Sequence, residues 1–494
     1  MAFTQSMVLN LSGSAAVGLF AFAVFVYTYS SRIVKPRDPP NTPITVPYLF
    51  PWIGSFFTFN KDPLECLKQY HLSYGKYYKI YAAGRAVVVI TDPDGVASIS
   101  RDTTKHLDHK LVFSQILHGI AGFGSSIDFI QDLLDSKIFP IVKTSLSPAL
   151  MSEVTGTVDS LIPLELERFY TSNSKATSLN LLEVIGRPIY NAGSLALFGP
   201  TFPLDSFHDF LELDSFLPQL LTRLPFIAQR GRFARLRMVS HLEKYIEEWW
   251  ATDGTQDIPH ASTTVMLSLT ELKAAQVSRR DAAGTLLLFL WGFHSNMWFM
   301  IFWLLTHLVV DRTSMTRMIS EIESFRAKHS LDQLDDPHCT PPLLESAIQE
   351  TLRWATTSTT ARYATEDTAV VVDGTPVPIM KGEYVLGDIR AVHYDPEVYE
   401  HPYEFKIDRY VTKNDDRLAA PKPSPWGRGK HMCVGRHVAV HAMRRFAVEL
   451  LSTYDIVPTK PSSDGPKIPS INTRHFLGSL KSTEDFQILL SRRA

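Results

Sequence analysis

A glycine- and proline-rich loop that ends in a cysteine restricts the folds open to this chain. Residues 421–436 read PKPSPWGRGKHMCVGR, and three prolines followed by two glycines exclude a regular helix or strand before Cys433. Residues 434–451 then show helical periodicity. Cys433 is therefore predicted at a helix N-terminus, where backbone N–H groups and the helix dipole favour a thiolate.

Three interpretations of Cys433 compete. A buried, inert cysteine is the ordinary state of a cysteine near a helix. A zinc site that uses His431 or His437 lacks the second pair of ligands that such sites need. A haem thiolate ligand explains the helix start, the nearby Trp426 and the glycines together, because glycines let the backbone approach a flat, bulky group.

A second feature is a charge pair on a predicted helix. Residues 343–353 read LLESAIQETLR, and their apolar residues form one stripe. Glu350 and Arg353 lie three residues apart on the other side, where their side chains can pair. If this pair is exposed, it contributes less than about 1 kcal/mol to stability.

The cysteine loop resembles a known haem-binding sequence. The pattern Trp426-x-x-Gly429-x-x-x-Cys433-x-Gly435 is similar to the loop of cytochrome P450 enzymes, although that family usually has Phe at the first position. The family also often has Arg where this chain has His431. The resemblance implies that Cys433 is the axial ligand of a haem b iron and that the other four residues surround the cofactor.

The charge pair resembles a second motif of this family. Glu350-x-x-Arg353 is similar to the K-helix motif, and residues 402–410 are similar to the segment whose arginine, here Arg409, completes a Glu–Arg–Arg network. The resemblance implies a buried cluster that locks the cysteine loop. Two weaker similarities imply contacts to the haem propionates. Lys143, four residues after Phe139, is either such a contact or a surface lysine, and Arg362 contacts either a propionate or a substrate oxygen.

A long apolar segment at residues 282–310 is predicted as one helix that crosses the domain. Its polar residues distinguish it from a second transmembrane helix. The segment LWGFHSNMWFMIFW resembles the branch of sterol 7α-hydroxylases and prostacyclin synthase. That alignment puts Ser295 and Asn296 where most family monooxygenases carry an acid–alcohol pair, so these two are the predicted catalytic residues. His294 is either a participant or a packing residue.

The chemistry of this segment stays open at the level of sequence. An asparagine orients water by hydrogen bonds but does not relay protons as an acid does. A Ser295–water–Asn296 chain suits monooxygenation, whereas a peroxide isomerase needs no external protons and tolerates Asn296.

The N-terminus has the character of a membrane anchor. No charged residue precedes Arg32, and residues 7–29 are mostly apolar, so a helix of this length spans about 30 Å of hydrocarbon. The basic cluster that begins at Arg32 places the rest of the chain on the cytoplasmic side. The alternative, a cleaved signal peptide, lacks a basic n-region. We predict an anchor at 1–31, a proline-rich hinge at 32–59 and one haem domain at 60–494.

The expected fold is mainly α with small β-sheets, the cytochrome P450 fold, after one N-terminal transmembrane helix. Hairpins are predicted at residues 77–91, around Gly84-Arg85, and at residues 368–386, with turns at 373–374 and 381–382. The composition, with 45% hydrophobic and 20% charged residues, excludes a disordered chain. A net charge of −2 gives no electrostatic support for a nucleic-acid partner.

The resemblance implies a monomeric, single-pass enzyme of the endoplasmic reticulum. It would oxidise a lipophilic, polycyclic substrate of terpenoid or sterol type with dioxygen. NADPH–cytochrome P450 reductase would supply electrons from NADPH, and membrane lipid would surround the anchor. The alternatives are a reductase-independent isomerase or dehydratase that acts on a peroxide, and a haem-binding sensor or carrier without turnover. A cluster of basic residues near the cysteine suits the docking of an acidic partner: Arg428, Lys430, Arg436, Arg444 and Arg445.

Overall fold

A computed structural model describes most of the predicted haem domain. The described residues are 40–48, 52–101, 106–221, 228–357, 359–411, 420–459, 465–475 and 477–493. The predicted anchor and the first part of the predicted hinge lie outside the described residues.

Helices dominate the described part of the chain, which confirms the prediction of a mainly α fold with small sheets. Many of their starts follow local rules: for example, Ser278 accepts a hydrogen bond from the Asp281 N–H at 3.1 Å. In chain order the helices are α1 (Phe56–Lys61), α2 (Pro63–Tyr74), α3 (Pro93–Arg101), α4 (Lys110–Ala121), α5 (Ile127–Leu133), α6 (Phe139–Ser145), α7 (Ser152–Ser172), α8 (Leu181–Phe198), α9 (Phe207–Ser215), α10 (Leu217–Leu221), α11 (Gln229–Tyr245), α12 (Glu247–Ala251), α13 (Thr263–Ala274), α14 (Arg279–His294), α15 (Met297–Val310), α16 (Arg312–Lys328), α17 (Pro342–Ala355), α18 (Ile389–His393) and α19 (Arg436–Thr453).

The strands form three small sheets in the described part of the chain. Their orders are β1-β2-β8-β5-β3, β4-β10-β9 and β6-β7. The strands are β1 (Tyr77–Ala82), β2 (Arg85–Ile90), β3 (Leu107–Asp108), β4 (Leu179–Asn180), β5 (Thr359–Ala364), β6 (Thr368–Val372), β7 (Thr375–Ile379), β8 (Tyr384–Asp388), β9 (Tyr454–Pro458) and β10 (Gln487–Arg492).

The first predicted hairpin is confirmed and the second is confirmed in part. In β1–β2, Tyr77 pairs with Ile90, and the turn uses Gly84 at φ +75°. The β6–β7 hairpin turns at Asp373–Gly374, as predicted. However, β8 leaves that hairpin and pairs in parallel with β2 and antiparallel with β5. The predicted turn at residues 381–382 does separate β7 from β8, but a turn does not determine which strand the next strand pairs with.

The later part of the predicted hinge is not a free connector. The Val46 N–H donates to the Lys79 carbonyl on β1, and the Lys79 N–H donates to the Ile44 carbonyl, each at 2.8 Å. Residues 56–59 are already helical in α1. The segment before the domain therefore adds an edge to the five-stranded sheet.

The long apolar segment is two helices rather than the predicted one. Helix α14 ends at His294 and α15 begins at Met297, so the helix is interrupted at Ser295 and Asn296. Together, among the described residues, they are long and apolar enough to cross a membrane, but 67% of the most apolar window is buried inside the protein. Helix α15 packs against α8, α17 and α19, as expected for a helix of the protein core.

Candidate functional site

The cysteine loop lies directly before α19. Gly427 and Gly429 adopt φ values of +71° and +70°, which favour glycine. The Cys433 N–H donates to the Trp426 carbonyl at 2.9 Å and closes the loop. Since α19 begins at Arg436, the cysteine lies at the helix N-terminus as the sequence predicts.

The Cys433 side chain is accessible to solvent although many protein atoms surround it. It is solvent-exposed, yet burial among surrounding protein atoms raises the pKa of its thiol. Both observations fit a sulfur at the wall of an internal space. The backbone N–H groups of Gly435 and Arg436, with the Arg436 guanidinium, act in the opposite direction and lower that pKa. A coordinated metal ion would deprotonate the thiol outright.

The surroundings of Cys433 fit a thiolate-ligated haem. A Cβ on Gly435 would meet nothing within 4 Å, so the backbone here leaves room for a large flat group. Among the described residues, no cluster of three or more His, Cys, Asp or Glu side chains could hold a metal ion. A zinc centre requires such a cluster, whereas a haem iron needs one protein thiolate.

Trp426 and His431 occupy different environments on this loop. Trp426 is half-buried and packs against the main hydrophobic core. His431 is exposed, and its ring stacks on the ring of His109 with 3.4 Å between centroids and 27° between planes. His109 directly precedes α4. The sequence carries no local signal for this contact, which joins two distant segments beside the cysteine loop.

Glu350, Arg353 and Arg409 form one buried cluster. The Arg353 guanidinium binds both Glu350 carboxylate oxygens at 2.8 Å, and Arg409 Nε binds Glu350 Oε2 at 2.8 Å. Glu350 and Arg353 are fully buried, and Arg409 is 8% exposed. The other guanidinium N–H groups donate to main-chain carbonyls of His393, Pro402 and Glu404 from Arg353, and of Glu400, His401 and Glu404 from Arg409.

This cluster is connected to the cysteine loop. Arg353 donates to the His393 carbonyl at 2.8 Å, and the His393 Nε2 accepts from the Ser424 N–H at 2.9 Å. Burial, with smaller contributions from nearby cations, lowers the pKa of His393 to about 3, so its ring is neutral and can accept. The chain Arg353–His393–Ser424 therefore links the charge cluster to the loop that carries Cys433.

Ser295 has a different partner from the one expected. Its hydroxyl donates to Asp214 Oδ1 at 2.5 Å, and its carbonyl accepts from Lys481 Nζ at 2.5 Å. The side chain is 1% exposed. A Ser295–water–Asn296 proton chain is not supported by this geometry, because the serine proton is already donated to a buried carboxylate. Sequence reasoning missed Asp214 and Lys481.

Asn296 lies against the C-terminal loop at the helix break. Its Oδ1 accepts from the Ser479 N–H at 2.9 Å. Gly478 has φ +77°, and a Cβ at that position would lie 2.1 Å from Asn296 Oδ1. Only a glycine permits this close approach, so the loop fixes the orientation of the amide.

His294 is a packing residue. It is fully buried, and its Nε2 is 3.1 Å from Ser194 Oγ. Burial lowers the pKa of His294 to about 3, so the ring stays neutral near pH 7. Aromatic rings surround it, among them Tyr190 at 4.9 Å and Phe210 at 5.9 Å between centroids.

The two predicted propionate contacts differ in their surroundings. Lys143 lies in α6 and is exposed. Arg362 lies in β5 and is 5% exposed, and its Nη1 donates to the Ala361 carbonyl at 2.9 Å and to Thr360 Oγ1 at 3.2 Å. A buried guanidinium has a stronger electrostatic effect on a nearby carboxylate than an exposed ammonium has.

The predicted basic cluster is smaller than expected. Arg444 binds Asp335 at 2.6 Å and Glu345 at 2.6 Å, and the buried Arg445 binds Glu449 at 2.7 Å. Their charges are therefore used inside the protein. Arg428 is exposed and Arg436 is half-buried, so these two are still presented beside the loop.

His441 on α19 bridges two carboxylates. Its Nε2 is 2.8 Å from Asp159 Oδ1, and its Nδ1 contacts Asp335 Oδ2. Burial by itself would lower the pKa of His441, but the hydrogen bonds to Asp159 and Asp335 outweigh burial and raise it to about 9. The imidazolium therefore ties α7 and the turn before α17 to the helix that follows the cysteine.

We expect this bridge to make stability depend on alkaline pH. The folded pKa of about 9 lies above the ordinary value of 6.5, so the stabilisation is complete below about pH 6.5 and is lost as the pH rises through about 9. The difference corresponds to on the order of 3 kcal/mol. Thermal unfolding of the wild type and of His441→Gln across this range should show the gap between their midpoints closing with pH. A constant gap would contradict the assignment.

Comparisons with known proteins agree with the geometry. A family model described as Cytochrome P450 matches residues 168–485. The chain is 24% identical to a 7-alpha-hydroxycholest-4-en-3-one 12-alpha-hydroxylase of Oryctolagus cuniculus, over 92% of this chain and 93% of the relative. It is 23% identical to prostacyclin synthase of Bos taurus, over 92% of this chain and 94% of the relative. It is also 23% identical to Cytochrome P450 7B1 of Mus musculus, over 94% of this chain and 92% of the relative. The predicted similarity to this branch is thereby confirmed.

Proposed function

The chain belongs to the cytochrome P450 family and is an oxidoreductase, and from this premise we propose that it is a haem-thiolate monooxygenase of a lipophilic, polycyclic substrate. The observation that carries the proposal is Cys433 in a closed loop at the start of α19, tied through Ser424 and His393 to the buried Glu350 cluster. A haem held there supplies an iron centre that activates dioxygen.

The chain's own residues have distinct roles in this proposal. Cys433 would bind the haem iron through its thiolate, and Glu350, Arg353 and Arg409 would keep its loop in place. Asn296, oriented by the Ser479 N–H, is the polar group that positions water or substrate at the helix break. Trp426, Gly429, His431 and Gly435 would hold the haem together with Cys433, and Arg362 and Lys143 would bind its carboxylates.

The relatives and the proposed anchor support the proposed substrate class. One relative is named for an oxidation of a hydroxycholestenone, so we propose a sterol-like or terpenoid substrate. Residues 1–31 would anchor the protein in the endoplasmic reticulum membrane, with the haem domain in the cytosol and access to lipophilic compounds. We propose a monomer that receives electrons from NADPH through NADPH–cytochrome P450 reductase, with Arg428 and Arg436 near the docking face.

A reductase-independent isomerase is the second candidate. The Ser295 hydroxyl is bound to Asp214, and Asn296 has no acidic proton, so the break offers poor proton delivery. Rearrangement of a peroxide needs no such delivery. Prostacyclin synthase is among the relatives, which also favours keeping this candidate.

One experiment separates the two functions. The protein is placed in microsomes with reductase, a sterol and terpenoid extract and isotopically labelled dioxygen, and products are followed by mass spectrometry with and without NADPH. Label that enters a product only with NADPH supports the monooxygenase. Conversion without NADPH and without label supports the isomerase. Bound haem without any turnover contradicts both.

Replacement of Asn296 tests its role at the break. We expect Asn296→Ala to lower the product formed per NADPH about tenfold, because one orienting hydrogen bond is lost, while haem content stays the same. Asn191→Ala is a matched control, since Asn191 on α8 donates through Nδ2 to Glu165 on α7 at 2.7 Å and not to a residue of the break. Unchanged coupling in Asn296→Ala would mean that the amide serves only in packing.

A further inference from the structure

We propose that Asp214 and Lys481 are positioning residues that set the helix break and, through it, the orientation of Asn296. They would form a clamp between α9, the break after α14 and the C-terminal loop at residues 478–481. This inference rests on the proposed haem-thiolate function, within which Asn296 faces the reacting group.

The Lys481 ammonium is fully enclosed by this clamp. Nζ donates to Asp214 Oδ2 at 2.9 Å and to the Ser295 carbonyl at 2.5 Å, and it lies 4.0 Å from the centroid of the Phe299 ring. The ammonium therefore makes two charge-assisted hydrogen bonds and one cation–π contact. The side chain is 5% exposed, so its position has little freedom.

Asp214 is the acceptor at the other end of the clamp. Besides Lys481, it accepts from Ser295 Oγ at 2.5 Å and from Trp291 Nε1 at 3.1 Å. Burial would raise the pKa of Asp214, but the Lys481 charge and these hydrogen bonds outweigh burial and keep it below the ordinary value. The carboxylate is therefore ionised and bound from three sides at the break.

The clamp replaces the hydrogen bond that a continuous helix would make. In such a helix the Ser295 carbonyl accepts from the N–H four residues later. Here that carbonyl accepts from Lys481 instead, so the ammonium stabilises the interruption. The same loop supplies the Ser479 N–H to Asn296, which means that one loop binds both residues of the break.

The loop itself is anchored to the core. The Leu480 N–H donates to the Ala355 carbonyl at 2.7 Å, and the Leu480 carbonyl accepts from Trp303 Nε1 at 2.8 Å. A buried ion pair contributes little net stability compared with apolar residues of similar size, so its specific geometry is the more informative feature. That geometry places the side-chain hydrogen bonds of the pair at or beside the break.

Two variants remove the clamp in different ways. Lys481→Met leaves the Asp214 carboxylate buried without its cation and can prevent folding. The double variant Asp214→Leu with Lys481→Met removes both charges and keeps side-chain volume, so it is the variant expected to fold. Lys79→Met is the control, because Lys79 pairs with Glu383 at 2.5 Å in a half-buried site on β1.

The first readout needs no haem. We expect amide hydrogen exchange of residues 292–300 to become at least about tenfold faster in the double variant, since a charge-assisted hydrogen bond at the break is lost. Lys79→Met should leave exchange in this segment unchanged. Unchanged exchange in the double variant would overturn the clamp, whatever the outcome for the haem function.

The second readout tests the coupling to Asn296. We measure the affinity of the ferric protein for imidazole from the shift of its haem absorption. The proteins compared are Asn296→Ala, the double variant of Asp214 and Lys481, and the combination of all three substitutions. We expect the double variant to change the dissociation constant for imidazole about tenfold. The same two substitutions should change it little further when Asn296 is already alanine. Fully additive effects would overturn the proposal, while a wild type without a thiolate haem spectrum would overturn the proposed function alone.

Discussion

Cys433→Ala is expected to abolish thiolate ligation of haem completely. The purified variant should lack the carbon monoxide difference spectrum of thiolate-bound ferrous haem, and it should retain little cofactor. The backbone of the loop should survive, because the Cys433 N–H bond to the Trp426 carbonyl does not involve the side chain. The loss would therefore report the missing sulfur rather than a collapsed loop.

The other two cysteines are matched controls for this experiment. Cys66 lies in α2 and Cys339 precedes α17, and both are free thiols outside the cysteine loop. Alanine at either position should leave the spectrum unchanged. A thiolate spectrum that persists in Cys433→Ala would contradict the proposed ligand.

Removal of the charge of Glu350 is expected to have the largest effect on stability. Glu350→Gln leaves the guanidinium groups of Arg353 and Arg409 buried without an anion, which costs about 3–5 kcal/mol. We expect a clear fall in the thermal midpoint and loss of haem during purification, because the cluster supports the cysteine loop through His393 and Ser424. The measurement is the thermal midpoint together with haem bound per protein.

Two further variants make the Glu350 result specific. Arg353→Lys should also lower the thermal midpoint although it keeps the positive charge. An ammonium cannot make the bidentate contact with Glu350 and also reach the carbonyls of His393 and Pro402. Arg317→Met removes an exposed pair, in which Arg317 Nη2 is 2.9 Å from Asp408 Oδ2, and should cost less than about 1 kcal/mol. Equal losses in Glu350→Gln and Arg317→Met would show that the buried cluster has no special role.

Local sequence was sufficient for several elements of the site. Prolines and glycines before an apolar, periodic segment predicted the cysteine at a helix start, and α19 begins at Arg436. Turn residues predicted the hairpin of β1 and β2. These features depend on backbone preferences and hydrophobic periodicity over a few residues, so they can be read without knowledge of the rest of the chain.

The helix break shows where local reading was insufficient. The apolar segment predicted one continuous helix, because its hydrophobic run continues on both sides of Ser295 and Asn296 and contains no proline. The interruption depends on Lys481 and Ser479, which are far along the chain from Ser295 and Asn296. The Ser295 hydroxyl donates to Asp214, whereas the sequence predicted a water-mediated chain from Ser295 to Asn296.

By itself, the sequence determined the mainly α fold, the position of Cys433 and the pairing of Glu350 with Arg353, because each depends on spacing within one segment or on a resemblance of short motifs. Only the tertiary structure decided which distant groups satisfy the buried polar atoms: Asp214 and Lys481 at the break, and Asp159 and Asp335 around His441. The physical reason is that a buried polar group must find a partner wherever the folded chain supplies one, and the hydrophobic pattern that drives folding carries no record of which residue that is.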